Sequence, residues 1–473
     1  MRSFAVVVGC WVMAGWQTGW AADSSGEDSR RPNVVVFLAD DLGMLDARCF
    51  GSDDLRTPTI DRLARDGVRL TQCYAHTVCC PGRAMVMTGR YPQRCDLNSW
   101  AQGDTTDQPK GRNLKLSERT LAEAMRDAGY ATAIFGKWHL GAARTHGPTR
   151  QGFDEFFGIR GGFIDNYVHF SLHGRGRHDL FQRDEEIFRR GDYFMDMVTE
   201  RAEAFIDANK DRPFFLYFPL NLPHYPEQSI AKFEHEFEAL SEPRRSYAKI
   251  VATTDHFMGR VMAKLDQHGL SDQTIVAFGS DNGHSNEDYQ ISVDDHLSGL
   301  PRGLNYGANA GGGNTGSFRG AKGSFLEGGL RVPAIVSYPP RLPGGEVRDQ
   351  LATLMDFMPT ILDLANIPND GPKMDGHSLV PICVDDAATN YHEVHWQWQN
   401  DWAVRRGPWK LIVGGTLGLN GSGKNRISND FPELFLGRTD TADPESENFA
   451  EQKPGLVREL TESHRLWLDD VGM

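Results

Sequence analysis

The chain has 473 residues, of which 40% are hydrophobic and 24% charged, and its formal net charge is −14. This acidic balance argues against a nucleic-acid-binding protein, which needs cations to displace phosphate counterions, and against docking on an anionic membrane surface. The 26 Phe, 10 Trp and 12 Tyr residues can fill a large core, so an intrinsically disordered chain is excluded as well. The length allows one large domain or two unequal ones.

The first 21 residues have the pattern of a secretory signal peptide. Arg2 supplies a positive charge, residues 5–13 form an apolar stretch, and residues 19–21 make a small-x-small cleavage motif. The apolar stretch is too short to span a bilayer, and no later stretch approaches that length. We therefore expect an exported chain, periplasmic or secreted, with no membrane insertion after processing. A sequon at Asn420, the only one in the chain, favours a bacterial source over a lysosomal one.

Apolar runs and helical periodicity alternate along the chain after this leader. The run 33–39 does not alternate with polar residues, which is typical of a strand buried on both faces of a parallel sheet. The predicted elements, in chain order, are a strand over 33–39, helices over 57–67, 81–89 and 117–129, a strand over 130–135, a helix over 193–209, a strand over 214–220, a helix over 247–265, strands over 274–279 and 331–337, and a helix over 356–365. The alternation indicates an α/β fold with a large, mostly parallel sheet flanked by helices.

The composition of the sequence changes toward the C-terminus. Four Trp residues crowd the segment 396–409, a strand-like run covers 410–413, and a helical stretch covers 454–467. We interpret this part as a smaller α+β subdomain over 386–473, which follows a catalytic domain over 22–385. The Trp residues are expected to form its core and its interface.

Chemically capable side chains follow four of the predicted strands at their carboxyl ends, where ligands collect in open α/β sheets. They are Asp40 and Asp41, Lys137 and His139, His224, and Asp281 and Asn282. Each alone has an ordinary explanation, since such residues often cap turns or helices. Together, three carboxylates and an amide oxygen at one sheet edge favour a hard cation, Ca²⁺ or Mg²⁺, over Zn²⁺.

The segment from Cys79 to Arg90 predicts a short helix with a reactive side chain at its start. Pro81 near the beginning and Gly89 at the end place Cys79 at the positive N-terminus of this helix. Arg83 follows one turn later and can point toward the same spot. This arrangement is typical of anion binding around a nucleophile.

The same segment resembles the signature of the type I, arylsulfatase-like sulfatases of the alkaline phosphatase superfamily, in which a cysteine is oxidised to formylglycine. The fixed positions of that signature fall on Cys79, Pro81, Arg83, Thr88 and Gly89. Other stretches agree with the family in order and spacing, namely 32–41, 136–141, 280–283, 319–323, 327–333 and 375–379. The chain departs from the family at Gly82, where Ser or Ala is usual, and at Cys80, where a small polar residue is common.

The resemblance implies a role for each residue of the site. The implied cation ligands are Asp40, Asp41, modified Cys79, Asp281 and Asn282, with Ca²⁺ the usual ion. The implied catalytic residues are Cys79 as formylglycine, Arg83, Lys137, His139, His224 and Lys322. One hydroxyl of the hydrated aldehyde would attack sulfur, His224 would protonate the departing oxygen, and His139 would deprotonate the second hydroxyl to release sulfate. Arg83 would steady the hydrate, while Lys137 and Lys322 would hold sulfate oxygens. A formylglycine-generating enzyme is an implied partner.

An exported enzyme meets sulfated polysaccharides and oligosaccharides, so we expect a sulfated glycan as substrate. The candidate substrate-binding residues are His76, His284, Arg175, Arg177 and Glu287. The two arginines could hold further anionic groups of a glycan or could be ordinary solvated charges. The Gly-rich interval 284–317 is expected to be an inserted loop.

Two other functions fit part of the pattern. A phosphodiester or phosphonate monoester hydrolase could use the same formylglycine and cation, although Lys137, His139 and Lys322 favour sulfate. A catalytically dead, sulfated-glycan-binding protein is the second alternative, and it would show damaged catalytic positions, whereas all of them are intact. No feature of the sequence predicts an oligomeric state.

Overall fold

The computed structural model describes residues 1, 31–99, 101, 112–287, 289–304, 311–414 and 432–473. The predicted signal peptide and the Asn420 sequon lie outside these ranges. Residues 32–473 form one compact unit. None of the helices in the described ranges combines the length and the apolar character needed to cross a bilayer.

The larger sheet has eleven strands among the described residues. They are β1 (Asn33–Asp40), β2 (Val68–Tyr74), β3 (Ala131–Lys137), β4 (Glu155–Ile159), β5 (Phe181–Gln182), β6 (Glu185–Glu186), β7 (Phe214–Pro223), β8 (Thr274–Ser280), β9 (Arg331–Ser337), β10 (Glu346–Arg348) and β11 (Ala352–Thr353). Their spatial order is β10-β2-β9-β8-β1-β7-β3-β4-β5-β6, with β11 beside β2. The central strands β8, β1, β7, β3 and β4 are parallel, so their carboxyl ends lie along one edge.

Helices cover both faces of this sheet. The helices of the described chain are α1 (Pro58–Asp66), α2 (Cys79–Thr88), α3 (Leu121–Asp127), α4 (Phe194–Asn209), α5 (Arg244–Gln267), α6 (Glu327–Leu330), α7 (Phe357–Leu364), α8 (Val380–Asp385) and α9 (Pro454–Val471). Alternate residues of β1 point into two different cores. Val36 packs with residues of α2, α3 and α7 on one face, and Phe37 with residues of α1, α4 and α5 on the other. The predicted α/β fold with a mostly parallel sheet is confirmed.

The predicted start of the helix after residue 117 is wrong. Helix α3 begins at Leu121, because Thr120 and Glu123 form a capping box. The Thr120 side chain accepts a hydrogen bond from Glu123 N, and the Glu123 carboxylate accepts one from Thr120 N. These bonds satisfy the free N–H groups of the first turn and fix the start of the helix there.

The C-terminal part forms a second, antiparallel sheet. Its strands, in spatial as well as chain order, are β12 (Glu393–Trp398), β13 (Asp401–Arg406), β14 (Trp409–Val413) and β15 (Leu434–Arg438). Trp396 is buried and donates a hydrogen bond to Ala75 O at 2.9 Å, and Trp402 stacks on His464 of α9 at 4.2 Å between ring centres. The Trp residues therefore form core and interface, as expected, while the domain boundary between residues 385 and 386 stays a prediction.

The described part of the interval 284–317 contains no helix and no strand of either sheet. Its Ile291 packs in a small apolar cluster with Phe163, Leu172 and Tyr225. The interval therefore lies against the loops that follow β4 and β7, next to the carboxyl edge of the large sheet. The six cysteines of the described chain all carry free thiols.

Candidate active site

The carboxyl ends of four parallel strands bring the predicted polar residues together. Asp40 is the last residue of β1 and Lys137 is the last of β3. His224 follows β7, and Asp281 and Asn282 follow β8. All five of these side chains are buried. The concentration of charge away from water is costly unless the groups are paired or bind an ion.

Cys79 is the first residue of α2 and lies in the middle of this group. Its thiol donates to Asp40 Oδ1 at 3.3 Å and lies 4.0 Å from Asp41 Oδ1. Burial and the negative charge of Asp40 raise the pKa of the Cys79 thiol well above its usual range. The unmodified side chain is therefore a protonated thiol rather than a reactive thiolate.

Asp40 is held between two cations. Lys137 Nζ donates to Asp40 Oδ2 at 2.5 Å, and Arg83 Nη2 lies 3.7 Å from the same oxygen. Arg83 Nε also donates to Asp281 Oδ2 at 2.8 Å. Burial opposes ionisation of Asp40, but Lys137, His224 and Arg83 hold its pKa well below the usual range. Asp40 is thus a permanent negative charge next to Cys79.

A second group of contacts surrounds Asp41. Asn282 Nδ2 donates to Asp41 Oδ1 at 2.7 Å, and Lys322 Nζ donates to Asp41 Oδ2 at 2.8 Å. Lys322 donates in addition to Glu287 Oε2 at 2.9 Å. Asn282 Nδ2 also donates to Gly283 O at 2.8 Å, which fixes the orientation of the amide. Asn282 Oδ1 is then buried, and no residue in the described ranges gives it a hydrogen bond.

The site therefore lacks one positive partner. Four carboxylates, Asp40, Asp41, Asp281 and Glu287, face three permanent cations, Arg83, Lys137 and Lys322. Burial raises the pKa of Asp41 and of Asp281, which means that their charges are not fully compensated. Ligand atoms of Asp40, Asp41, Cys79 and His224 all lie within 4.8 Å of one another, which is the spacing of a metal site. Participation of His224 in this group is not part of the predicted ligand set.

The two predicted acid–base histidines are both buried at the site. His224 Nδ1 lies 2.6 Å from Tyr225 O, so this nitrogen carries the proton of the neutral ring and Nε2 is left toward the site. His224 Nε2 lies 3.6 Å from Asp41 Oδ2. Burial and Lys322 lower the pKa of His224 to about 3. His139 has no partner on either ring nitrogen, and burial, together with Lys137, lowers its pKa well below the usual range.

The candidate substrate-binding residues lie in different surroundings. Glu287 contacts Lys322, and Arg175 and Arg177 line a cavity beside the site. His76 and His284 are buried, and the His284 ring fills the space next to Gly313. A role of these five residues in substrate binding stays a prediction.

Three residues that are not among the predicted site residues support the site. Tyr247 of α5 donates to Asp41 O at 3.0 Å. Ser280 Oγ accepts a bond from Leu42 N at 2.9 Å and donates to Asn282 O at 2.8 Å. Phe163 stacks on His224 with ring centres 5.2 Å apart. The sequence gives little indication of either aromatic residue, because Phe163 follows two glycines where no element is predicted and Tyr247 lies within a predicted helix.

The departure from the family at Gly82 has a structural explanation. A Cβ atom at Gly82 would lie 2.0 Å from Asp281 O, well inside the contact distance. The backbone of α2 therefore packs directly on the turn after β8. This close contact holds Cys79 of α2 near Asp281.

The doubly covered parallel sheet, with a cysteine at a helix N-terminus between carboxylates and cations, defines a hydrolase of the alkaline phosphatase type. The sulfatase family profile matches residues 32–367. The chain belongs to the sulfatase family and is a sulfuric ester hydrolase, which confirms the predicted class of enzyme.

Relatives and solved structures agree with this assignment. The chain is 30% identical to N-acetylgalactosamine-6-sulfatase of Canis lupus familiaris, with 78% of this chain and 73% of the relative covered. It is 28% identical to N-acetylgalactosamine-6-O-sulfatase of Bacteroides thetaiotaomicron, with 93% of each covered. The crystal structure of Ps i-CgsB superposes with a TM-score of 0.76 at 25% identity and 93% coverage of each chain. That protein has also been solved with k-i-k-neocarrahexaose.

Proposed function

We propose that this chain is a carbohydrate sulfatase that removes sulfate esters through a formylglycine made from Cys79, with a divalent cation bound beside it. The observation that carries the proposal is the unpartnered oxygen of buried Asn282, which lies in a cluster with one carboxylate too many around Cys79. A buried acceptor without a partner costs about 1–3 kcal/mol, and a cation bound beside Asp41 would supply the missing partner of Asn282 Oδ1.

The donor set fits a hard cation. Asp40, Asp41, Asp281 and Asn282 offer oxygen atoms, which Ca²⁺ and Mg²⁺ prefer, and we favour Ca²⁺. Bound there, the cation would polarise a sulfate ester oxygen and would balance the excess negative charge. Cys79 fits the modification because its side chain lies at the N-terminus of α2 and within 4.0 Å of both Asp40 and Asp41. The hydrated aldehyde would supply the hydroxyl nucleophile that the protonated thiol cannot.

The remaining residues would bind the sulfate group and move protons. Lys137, at the end of β3, contacts Asp40, and Lys322, in the loop before α6, contacts Asp41; each would hold a sulfate oxygen. His224 would give the proton at Nε2 to the departing alcohol oxygen, because Nδ1 is held by Tyr225 O. A bound sulfate ester would favour the protonated ring by its negative charge. His139, whose two ring nitrogens are free of partners, would accept the proton that precedes sulfate release.

A sulfated saccharide is the substrate class that we favour. The support comes from two relatives that act on N-acetylgalactosamine 6-sulfate groups by name, and from a structural neighbour solved with a carrageenan hexasaccharide. Export to the periplasm or the medium is part of the same proposal, because glycans of this kind are met outside the cytoplasm.

Mass spectrometry tests the modification directly. The tryptic peptide over 70–83 carries Cys79, and protein made together with a formylglycine-generating enzyme should contain an aldehyde in place of that thiol. Detection of only the thiol, in protein that hydrolyses sulfate esters, would contradict the proposed nucleophile.

Turnover tests the reaction class and the substrate. We expect hydrolysis of an aryl sulfate and sulfate release from a panel of sulfated saccharides, both faster than cleavage of the matching aryl phosphodiester. Faster phosphodiester cleavage would favour the phosphodiester or phosphonate monoester hydrolase instead. Saccharide binding without sulfate release, from protein with proven formylglycine, would indicate a glycan-binding protein.

A further inference from the structure

A cavity of about 270 Å³ opens directly beside the proposed active site. Its lining includes Gly161, Gly162, Phe163, His173, Arg175 and Arg177. We infer that this cavity binds a second anionic group, a sulfate or a carboxylate, on the same saccharide whose sulfate ester is cleaved. The inference rests on the proposed function and names a feature of the substrate.

Two residues that line the cavity also contact the two acid–base histidines of the site. The backbone of Gly162 lies against the His139 ring, because a Cβ atom there would come within 2.8 Å of His139 Cε1. Phe163, which also lines the cavity, stacks on His224. A substrate whose departing oxygen lies at His224 therefore extends over Phe163 and into the cavity. The second anion must then lie on the same sugar unit or on the next one.

Positive charge at the cavity is supplied by two guanidinium groups, in a chain whose net charge is −14. Arg177 is half-buried and Arg175 is exposed. Asp179 also lines the cavity: it accepts bonds from Arg160 N at 3.0 Å and Gly161 N at 2.7 Å, and the charge of Arg177 acts on it, so Arg177 would hold an anion with the N–H donors that Asp179 does not engage. Arginine binds oxyanions through paired N–H donors, so the two side chains suit a sulfate or a carboxylate.

The ion pair of Arg175 does not block this role. Arg175 Nε lies 2.8 Å from Asp295 Oδ2, and the two side chains are 65% and 63% exposed. Exposed pairs of this kind contribute only about 0–1 kcal/mol, so a substrate anion can replace Asp295.

The size and the walls of the cavity suit a sugar with one charged substituent. A volume near 270 Å³ is slightly below the roughly 300–1,000 Å³ of pockets for drug-sized ligands. The His173 ring stands 3.9 Å from the Tyr289 ring, and His173 Nε2 lies 3.0 Å from Tyr225 OH. His173 lines the cavity together with Phe163, whose ring centre lies 4.5 Å from that of His173, and these two rings form an aromatic wall on which a sugar face can pack. Glu287, on the Lys322 side of the site, disfavours a second anion in that direction.

Competition against a reporter substrate tests the inference without knowledge of the natural glycan. The probes are N-acetylgalactosamine 6-sulfate, N-acetylgalactosamine 4,6-disulfate, and a disaccharide of N-acetylgalactosamine 6-sulfate with a uronate. Each is measured as a competitor of aryl sulfate hydrolysis by the formylglycine-containing enzyme with Ca²⁺. We expect at least one doubly charged probe to compete about 10-fold or more better than the singly charged one, the effect of one charge-assisted contact. A gain with the disulfate alone identifies a sulfate site, and a gain with the uronate alone identifies a carboxylate site.

The variants Arg175→Ala and Arg177→Ala should each reduce this preference to less than about threefold, and Arg177→Lys should retain part of it. Arg189→Ala is the matched control, because Arg189 is an exposed arginine of the same region outside the cavity lining. It should keep the full preference.

Failure of the inference and failure of the proposed function are distinguishable. If the enzyme with proven formylglycine hydrolyses no aryl sulfate and no saccharide sulfate, the proposed function falls. If it hydrolyses the aryl sulfate but all probes compete equally, or the preference survives the double change Arg175→Ala/Arg177→Ala, only the second-anion site is wrong.

Discussion

Two buried clusters of charge in this protein differ in one respect. At the junction of the two sheets, Lys410 Nζ donates to Glu327 Oε1 at 2.7 Å and lies 2.6 Å from Glu445 Oε1. Tyr74 OH donates to Glu327 Oε2 at 2.6 Å, and Glu327 N donates to Glu445 Oε2 at 2.8 Å. Glu445 Oε1 makes no hydrogen bond with the described residues, but its ion pair with Lys410 compensates its charge, and the other carboxylate oxygens of this junction cluster are hydrogen-bonded. At the edge of the large sheet, by contrast, Asn282 Oδ1 has no hydrogen-bond partner in the described part of the chain.

The difference separates a structural cluster from a functional one. Both clusters are buried and both contain lysine and carboxylate groups, so neither burial nor charge alone indicates a site. The cluster at the edge of the large sheet differs from the junction cluster in having an uncompensated hydrogen-bond acceptor and an excess of negative charge. A cation can relieve both, whereas the junction cluster has nothing to gain from one.

The largest effect is expected from removal of the nucleophile. Cys79→Ala should lower aryl sulfate turnover by about 10⁴-fold or more, the scale seen when a nucleophile is lost. Its melting temperature should stay close to that of the parent, since the thiol makes only weak contacts. Cys80→Ala is the control: Cys80 lies in the apolar core and accepts a hydrogen bond from Ala101 N, so the change should lower the stability slightly and leave the turnover of the folded enzyme unaltered. If the Cys79 variant turned over aryl sulfate as fast as the parent enzyme, the cluster around Cys79 would not be the catalytic one.

The next largest effect concerns the junction cluster. Lys410→Met leaves Glu327 and Glu445 buried without their shared cation, which should lower the free energy of unfolding by about 3–5 kcal/mol. The folded fraction should keep its KM for aryl sulfate within about twofold. Urea denaturation measures the stability. Lys264→Met, which breaks the surface pair with Asp207, should cost no more than about 1 kcal/mol. A loss of Ca²⁺ dependence in the Lys410 variant would show that the two clusters are not separate.

A smaller effect is expected at Asn282. Asn282→Ala removes the unpartnered oxygen and should raise the Ca²⁺ concentration for half-maximal turnover by about 10–100-fold, the range for groups that hold or orient a metal. Titration of chelator-treated enzyme with Ca²⁺ measures it. The control Asn209→Ala changes a buried Asn that donates to Phe205 O inside α4 and accepts a bond from Arg212 Nε, and it should leave the Ca²⁺ dependence unaltered. An unaltered dependence in the Asn282 variant would contradict the cation site.

The smallest effect is the pH dependence of the free energy of unfolding that arises from His464, which packs against the second sheet. His464 is buried between aromatic rings, and burial, with His395 at 3.3 Å, lowers its pKa to about 3. An unfolded His titrates near 6.5, so below that pH the unfolded chain binds more protons and the free energy of unfolding falls. From pH 7.5 to 5.5 His464 should contribute about 1.4 kcal/mol to this loss, in addition to the contributions of other buried histidines such as His76 and His224. His464→Gln should remove this contribution, whereas His392→Gln, at an exposed position, should not.

Much of the fold could be predicted because its signals are local. The unalternating run of β1 is buried on both faces, as expected, and the parallel order of the central strands follows from the alternation of strands and helices. The start of α3 was missed although the capping pair Thr120 and Glu123 is visible in the sequence, because Ser117 offers a competing cap.

The site could be predicted only in part. The strand-end rule brings Asp40, Asp41 and Asn282 together, because it needs no knowledge of distant contacts. The bond between Lys322 and Asp41 joins residues 281 positions apart, and only the family resemblance pointed to it. No pattern in the sequence could show which oxygen of the cluster would be left without a partner, since that depends on side-chain orientations throughout the folded site.

The contact of Gly82 with the turn after β8 has a consequence for consensus design of this enzyme. Engineers often stabilise an enzyme by replacing an unusual residue with the one most frequent among homologues. At this position the frequent Ser or Ala would push α2 away from Asp281 and shift Cys79 relative to Asp40 and Asp41. A rare residue can thus be the one that a particular backbone requires, and a consensus library of this enzyme should leave residue 82 unchanged.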